Sequence, residues 1–404
     1  MASSVIDAVV VGGSIAGLMH GVVLKALGRR VIILESRKPQ ELKAQAAGLS
    51  LGPEAQELLR AYVPSENEFA IDNPATQILS AEGVVLREIP PSISVVTSSW
   101  NVVFEKLKTK FEEVGSGADG SVYETGARVA DIKDKGDSVV VIYQREGRDA
   151  TETIQAKLVI AADGFRSIIR TALLPETQPK YAGYLAWRGC VPESMTPDPM
   201  KGVLDGKLVM SMLEGSYILS YLNPGLGGSI ALGERLLDWC WYDACEEDSA
   251  ELDEIMTDSF GHRHNHTVPR GALSDKAWER QLKRAEEILP SFLLDIVRSA
   301  DGPFSFVTAI SSFDSSKASF YGGKVLLVGE AFTQFRPHLG LGSNLGAFQA
   351  LALARMLNGE MDSRKWEDTV TAYAQEIALR SSATGHFGMT GKWPEGYIPP
   401  YLRK

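Results

Sequence analysis

The chain opens with an apolar run, Ile6–Val11 (IDAVVV), whose only polar position is Asp7. A run this dense predicts a strand covered on both faces. Gly12–Gly17 (GGSIAG) interrupts it. Leu18–Leu27 then returns apolar positions at helical spacing, with Gly28 placed as the stop. Arg30–Glu35 (RVIILE) is a second dense run. The opening therefore predicts a strand, a tight turn, a helix and a parallel strand, a unit of about 30 residues.

Further along, short strand-like runs alternate with turns from Gln77 to Ile89. Trp100–Val114 has the spacing of an amphipathic helix, and Gly115–Gly120 (GSGADG) reads as a loop. Ser138–Gln144 and Lys157–Ala161 predict strands, and a short helix is expected at about Arg166–Leu173. The character changes near Pro175. Tyr181–Val191, Lys207–Leu213 and Ser216–Leu222 predict strands that pair antiparallel, with a proline-rich loop at Pro192–Pro199. Trp239 and Trp241 repeat with period two, as on one face of a strand. Lys276–Leu289 is helical. Lys324–Val328 (KVLLV) is again a dense run, followed by helical spacing at Leu345–Leu357 and, through Trp366, Val370, Tyr373 and Ile377, at Arg364–Arg380. No internal repeat or low-complexity tract appears.

This pattern predicts a mixed α/β protein whose chain leaves one domain and returns to it. The expected layout is an α/β domain at 1–75, 98–180 and 300–360. A mixed or antiparallel sheet domain is inserted at 76–97 and 181–299, and a helical segment follows at 361–404.

Composition narrows the function. The 404 residues are 44% hydrophobic and 23% charged, the values of a globular protein with a sizeable core. A net charge of −10 without a basic block argues against nucleic acid or an anionic membrane as partner. The longest apolar stretches fall short of the roughly 18–20 residues a membrane span needs. No leader is read at the N-terminus, the Asn265-His266-Thr267 sequon reads as chance, and the C-terminal YLRK matches no address signal. Three cysteines, Cys190, Cys240 and Cys245, fit a reducing compartment, and a cytoplasmic location is expected.

The glycine turn sits between strand and helix, the context that gives such a turn meaning. Gly12 permits the sharp reversal, Gly17 lets helix and strand approach, and the helix start offers N–H groups to a pyrophosphate. Ser14 stands where the dinucleotide pattern has its second glycine. Glu35, 18 residues after Gly17, closes the second strand, where a carboxylate accepts from ribose hydroxyls. A second acidic turn, Asp163-Gly164, lies in LVIAADGFRSIIR and is followed by Ser167 and Arg170; Asp163 reads equally as a helix cap. A third, GEAFTQFRPHLGLGSN at Gly329–Asn344, joins an apolar run to a helix.

These three segments, at this spacing, resemble the single-component FAD-dependent aromatic hydroxylases typified by para-hydroxybenzoate hydroxylase. The Gly-Gly-Ser turn, Tyr184–Gly189 (YLAWRG), Ser99–Val102 (SWNV) and Arg336-Pro337-His338 resemble the 2,6-dihydroxypyridine hydroxylase branch. The resemblance implies a Rossmann-like FAD-binding domain, with FAD held by Gly12, Gly13, Ser14, Ile15, Ala16 and Gly17, by Glu35, Ser36 and Arg37, and by Trp100, Asp163 and Gly164. It extends the set to Glu330, Gly340, Leu341, Gly342, Ser343 and Asn344. Glu330 stands where the family has Asp, and Phe332 where it usually has a small residue.

The same resemblance implies NADPH or NADH as a transient cosubstrate, since Gly225–Gly228 opens no helix and reads as a loop. It implies O2 carried as a flavin C4a-hydroperoxide to an aromatic or heteroaromatic small molecule, in a monomer or homodimer. Candidate substrate-side residues are His338 beside Pro337, Arg188, Tyr217 and Tyr221. For each, packing or a salt bridge within the sheet is the competing reading. His262, His264 and His266 alternate as if on one polar strand face, but no set of metal ligands is completed. Epoxidation, oxidative rearrangement and ligand binding without turnover remain open alternatives.

Overall fold

The computed structural model describes residues 5–43, 47–80, 82–89, 94–115, 120–300, 302 and 305–402. The predicted Gly115–Gly120 loop and the YLRK terminus therefore lie largely outside the described residues. The chain divides into two compact units. One comprises 1–67, 100–179 and 313–379, the other 68–99, 180–312 and 380–404.

In the first unit the strands Val325–Leu327, Thr151–Ala161, Ile6–Val11, Val31–Glu35 and Val122–Thr125 lie side by side and parallel, in that order. Val9, Val10, Ile33, Val159 and Leu326 have essentially no exposure, which is why these strands lack polar alternation. Ile6–Val11 sits mid-sheet, so the turn after it opens at the carboxyl edge, where open α/β sheets bind ligands. Ala127–Asp134 and Val139–Arg145 extend the sheet antiparallel from the first half of Thr151–Ala161.

In the second unit an antiparallel sheet runs Phe306–Asp314, Lys180–Pro192, Leu236–Ala244, Ser216–Asn223 and Lys207–Met212; the last two residues of the first strand count with the other unit. Ala75–Leu79 joins Lys207–Met212 parallel, and Val85–Ile89 closes the edge. One face packs Trp187, Trp239, Trp241, Ile218 and Leu222 against helices including Asp275–Ile288 and Ser291–Ser299. The opposite face carries Tyr184, Tyr217, Tyr242 and Cys240.

Most predicted elements appear within a few residues of their expected bounds. The proline-rich stretch is instead a short 3-10 turn, Glu193–Met195, and a helix, Asp198–Leu204. Pro197 as N-cap and Pro199 in the first turn need no backbone N–H there. The helix expected at Arg364–Arg380 runs Ser363–Thr390. The histidine face is corrected: His262–His266 forms a loop, with regular strand only at Thr267–Val268. His264 Nε2 meets Asp258 Oδ2 at 2.8 Å, and the His262 ring lies edge-on to His264. Among the described residues no group of ligating side chains is placed to hold a metal ion.

Candidate active site

The GGSIAG turn is built on contacts that exclude side chains. Gly12 adopts φ +98°, and a Cβ there would lie 2.3 Å from the Ala162 carbonyl oxygen. A Cβ on Gly17 would lie 1.9 Å from the Gly12 carbonyl oxygen. Helix Ile15–Ala26 then begins at Ser14 with no side-chain cap. Helix Gly342–Leu357, begun at Leu341, is uncapped too. By contrast, Ser167, Ser249 and Ser274 each cap their own helix. Several other helices also lack side-chain caps, but these two pack near their starts: a Cβ on Gly346, in the second turn of the later helix, would lie 3.0 Å from Ala16 Cβ. Each helix start thus leaves backbone N–H groups and a positive dipole end without a side-chain cap, beside the carboxyl edge of the sheet.

Glu35 is 2% exposed. Its Oε2 accepts from the Gly13 N–H at 2.9 Å, and its Oε1 accepts from Arg37 N–H at 2.8 Å and Nε at 3.0 Å. Burial pushes this carboxyl up, but the Arg37 guanidinium and the two amides outweigh it and hold it below the ordinary carboxylate range. Ser36 is exposed beside it. Tyr123 covers the turn, its hydroxyl donating to the Gly13 carbonyl at 2.8 Å. Trp100 stacks on Phe104 at 4.6 Å.

Asp163 divides its two oxygens. Oδ2 caps the Ile168–Leu173 helix through the Ile168 N–H at 3.0 Å, while Oδ1 is buried without a hydrogen-bond partner. Burial raises its pKa against the Ser167 hydroxyl and nearby amides. Gly164 takes φ +75°. Arg170, 3% exposed, donates to the carbonyls of Phe165, Glu330 and Ala331 and so fixes the Gly329–Ala331 turn. Glu330 is exposed on that turn, and Phe332 is buried behind it. Gly329 N–H donates to Gln349 Oε1 at 2.7 Å.

The final segment splits in role. Gly340 takes φ +65° against Ser50, whereas Gly342 has open space where a Cβ would stand. Ser343 donates to the Ser50 carbonyl at 2.7 Å. The Asn344 side chain turns away from the helix start: it accepts from Ala55 N–H at 2.9 Å and donates to the Tyr373 hydroxyl at 2.6 Å. Leu341 and His338 are buried, and Pro337 begins a 3-10 turn. The glycine cradle, two uncapped helix starts, Glu35 and the unpaired Asp163 oxygen form a donor and acceptor set that fits a dinucleotide carrying a flavin.

In the second unit, Arg188, Cys190, Asp238, Cys240, Tyr217 and Tyr221 share the face away from the tryptophan core. Arg188 Nε is buried without a partner. Burial works against its charge, but Cys240, Tyr242 and Tyr221 beside it outweigh that and raise its pKa. Tyr217 is fully buried, stacked on Tyr242 at 4.8 Å, so its ring serves the packing of this face. Tyr221 is half-buried. The sequence reading overlooked Tyr123, Gln349 and Asn223; only Asn223 left a signal, a polar side chain ending an apolar strand.

Comparison with known proteins accords with this geometry. Residues 108–213 match a model of the FAD binding domain, and residues 181–312 match an FAD binding domain-like model. Over 389 residues the chain is 27% identical to 2,6-dihydroxypyridine 3-monooxygenase of Paenarthrobacter nicotinovorans, covering 94% of this chain and 91% of that one. The chain is thus similar to FAD-dependent aromatic monooxygenases over nearly its whole length. It is also 24% identical to the Aurachin C monooxygenase/isomerase of Stigmatella aurantiaca, covering 96% and 90% of the two chains. Its fold superposes on 2,6-dihydroxypyridine-3-hydroxylase from Arthrobacter nicotinovorans with a TM-score of 0.83 at 23% identity, over 99% and 97% of the chains. Among the described residues, the chain has no helix long and apolar enough to cross a membrane.

Proposed function

We propose that this enzyme binds FAD in the first unit and uses NAD(P)H and O2 to insert one oxygen atom into an electron-rich aromatic or heteroaromatic small molecule. The observation that carries the proposal is the uncapped start of helix Ile15–Ala26 on the glycine cradle beside buried Glu35, with the uncapped helix Gly342–Leu357 packed against it. Bound FAD, once reduced, supplies the electrons that activate O2.

The chain's own residues hold and orient. Gly12, Gly13 and the first turn from Ser14 to Gly17 cradle the pyrophosphate. Glu35 accepts from ribose hydroxyls, with Ser36 and Arg37 flanking it, and Asp163, Gly164 and Glu330 face the linking chain. The Gly342–Leu357 helix start stabilises negative charge on the ring. On the substrate side, Arg188 pairs with an acidic oxygen, Tyr221 packs on the ring, and His338, set by Pro337, takes a hydroxyl proton at an imidazole nitrogen. We assign the protein to the cytoplasm, as a monomer or homodimer.

Purified protein should be yellow, and a substrate should stimulate NAD(P)H oxidation together with O2 uptake. A colourless protein that takes up no added FAD overturns the proposal. Similarity to a monooxygenase/isomerase supports a second reading, oxidative rearrangement of a heteroaromatic ring, which mass analysis of the product distinguishes. Normal FAD content without substrate-linked NAD(P)H consumption marks a ligand-binding protein instead.

A further inference from the structure

The first turn of helix Gly342–Leu357 carries two side chains able to cap its own N–H groups, Ser343 and Asn344, and both bind elsewhere. Ser343 Oγ donates to the Ser50 carbonyl. The fully buried Asn344 amide serves a different helix, Pro53–Tyr62. That helix starts at Gly52, which has no side chain to cap it, and a Cβ there would lie 2.7 Å from Asn344 Cγ. Asn344 Oδ1 supplies the missing cap from outside by accepting the Ala55 N–H.

Two further residues hold the amide in place. Asn344 Nδ2 donates to Glu54 Oε2 and to the Tyr373 hydroxyl, and that hydroxyl donates to the same Glu54 oxygen at 3.3 Å. The Tyr373 ring stacks on Phe348 with centroids 3.9 Å apart. A reversed amide would set its NH2 against the Ala55 N–H and its oxygen against the Glu54 carboxylate, so these partners fix one orientation. A polar side chain at the third helical position otherwise reaches back to the backbone N–H groups of its own helix start. Here it does not. Among the described residues the N–H groups of Gly342, Ser343 and Asn344 have no protein acceptor.

Resting on the reading that this helix start approaches the flavin, we propose that Glu54 and Tyr373 are positioning residues for the cofactor. They keep the Asn344 oxygen on helix Pro53–Tyr62, so that three N–H groups of helix Gly342–Leu357 stay open to negative charge on the flavin ring. A released amide turns back, occupies those groups and weakens the hold on the reduced, more negative cofactor in particular. A role confined to helix packing has no such preference between the two redox states.

The test uses the full chain. It reads the dissociation constant of oxidised FAD by flavin fluorescence, the midpoint potential of bound FAD against a reference dye, and the melting temperature of the FAD-free protein. Tyr373→Phe keeps the ring on Phe348 and changes no charge. Glu54→Leu is compared with Glu54→Gln, which has the same charge but keeps an acceptor for Asn344. Relative to Glu54→Gln, Glu54→Leu should lose at least about tenfold more affinity for reduced than for oxidised FAD, a midpoint potential lower by about 30 mV. Relative to the unsubstituted chain, Tyr373→Phe should shift the same way by at least about threefold. An unmoved potential in Tyr373→Phe, equal potentials in the two Glu54 variants, or a lowered melting temperature without a change in potential overturns the inference. If Glu54→Leu does not fold, Tyr373→Phe decides alone. When the unsubstituted chain binds FAD and the potentials do not move, only this inference falls; when it takes up no FAD, the reading beneath falls as well.

Discussion

The Arg170 guanidinium lies 4.0 Å from the centre of the Phe313 ring and donates from Nη1 to the Ala331 carbonyl at 3.3 Å. One side chain thus ties the helix after Asp163 to the turn that carries Glu330. A planar fork bonded to three carbonyls and stacked on a ring has no equivalent in lysine. Arg170→Lys is expected to lower stability by about 2–3 kcal/mol and to weaken FAD binding, because the Glu330 turn loses its anchor. Thermal melting with and without added FAD checks both effects.

Glycine substitutions should separate folding from cofactor binding. Gly17→Ala sets a Cβ against the Gly12 carbonyl, and backbone cannot yield as a flexible side chain does. That variant is expected to be insoluble or to lose more than about 4 kcal/mol. Gly342→Ala meets nothing within 4 Å. It should fold normally, and its melting temperature without FAD should not fall. If the helix start approaches the flavin as proposed, its FAD dissociation constant rises at least about tenfold; an unchanged constant sinks that role.

Glu35 and Asp163 should shape the pH dependence of stability in opposite senses. The Glu35 carboxyl lies below its ordinary value of 4.5 in the folded state. Its stabilisation is therefore complete above that value and is lost as pH falls through the lower folded value. Glu35→Gln should lose stability at neutral pH and flatten the acid side of the profile. Melting curves from pH 3 to 7 (about that range) decide it.

The Asp163 carboxyl lies above its ordinary value of 3.8, so the folded protein favours the protonated form. Stability is then highest below 3.8 and declines as pH rises through the raised folded value. Asp163→Asn keeps a capping oxygen for the Ile168 N–H and removes a buried charge. It should melt higher at neutral pH without FAD yet bind FAD more weakly. A variant that gains stability and keeps full FAD affinity would show that Asp163 is a helix cap alone.

Arg188→Met tests the substrate side. Loss of a cation that pairs with an acidic oxygen should raise KM at least about tenfold with a smaller change in kcat, since the pairing is made with substrate as well as transition state. Equal KM values would return Arg188 to packing over the Phe306 ring, 5.9 Å from its guanidinium carbon.

Local signals were legible where chemistry is local. Apolar density located the parallel strands, period two placed Trp239 and Trp241 on one buried face, and glycine spacing located the turn. Those patterns arise from backbone geometry and burial within a few residues. Partners remote in sequence were not legible. Asn344 stands in a motif that points to cofactor, yet its amide caps a helix at Ala55, 289 positions earlier. The alternating histidines suggested a strand, but Asp258 holds His264 in a loop. Tyr123 and Arg170 acquire their places over Gly13 and Ala331 only when distant strands and turns assemble. The sequence by itself determined which segments alternate, which bury and where the chain must turn, because those demands act between neighbours. Only the tertiary structure decided which polar atoms found partners and which, like both atoms of the Asn223 amide, did not, because hydrogen bonding in a dry interior depends on whatever the fold brings within reach.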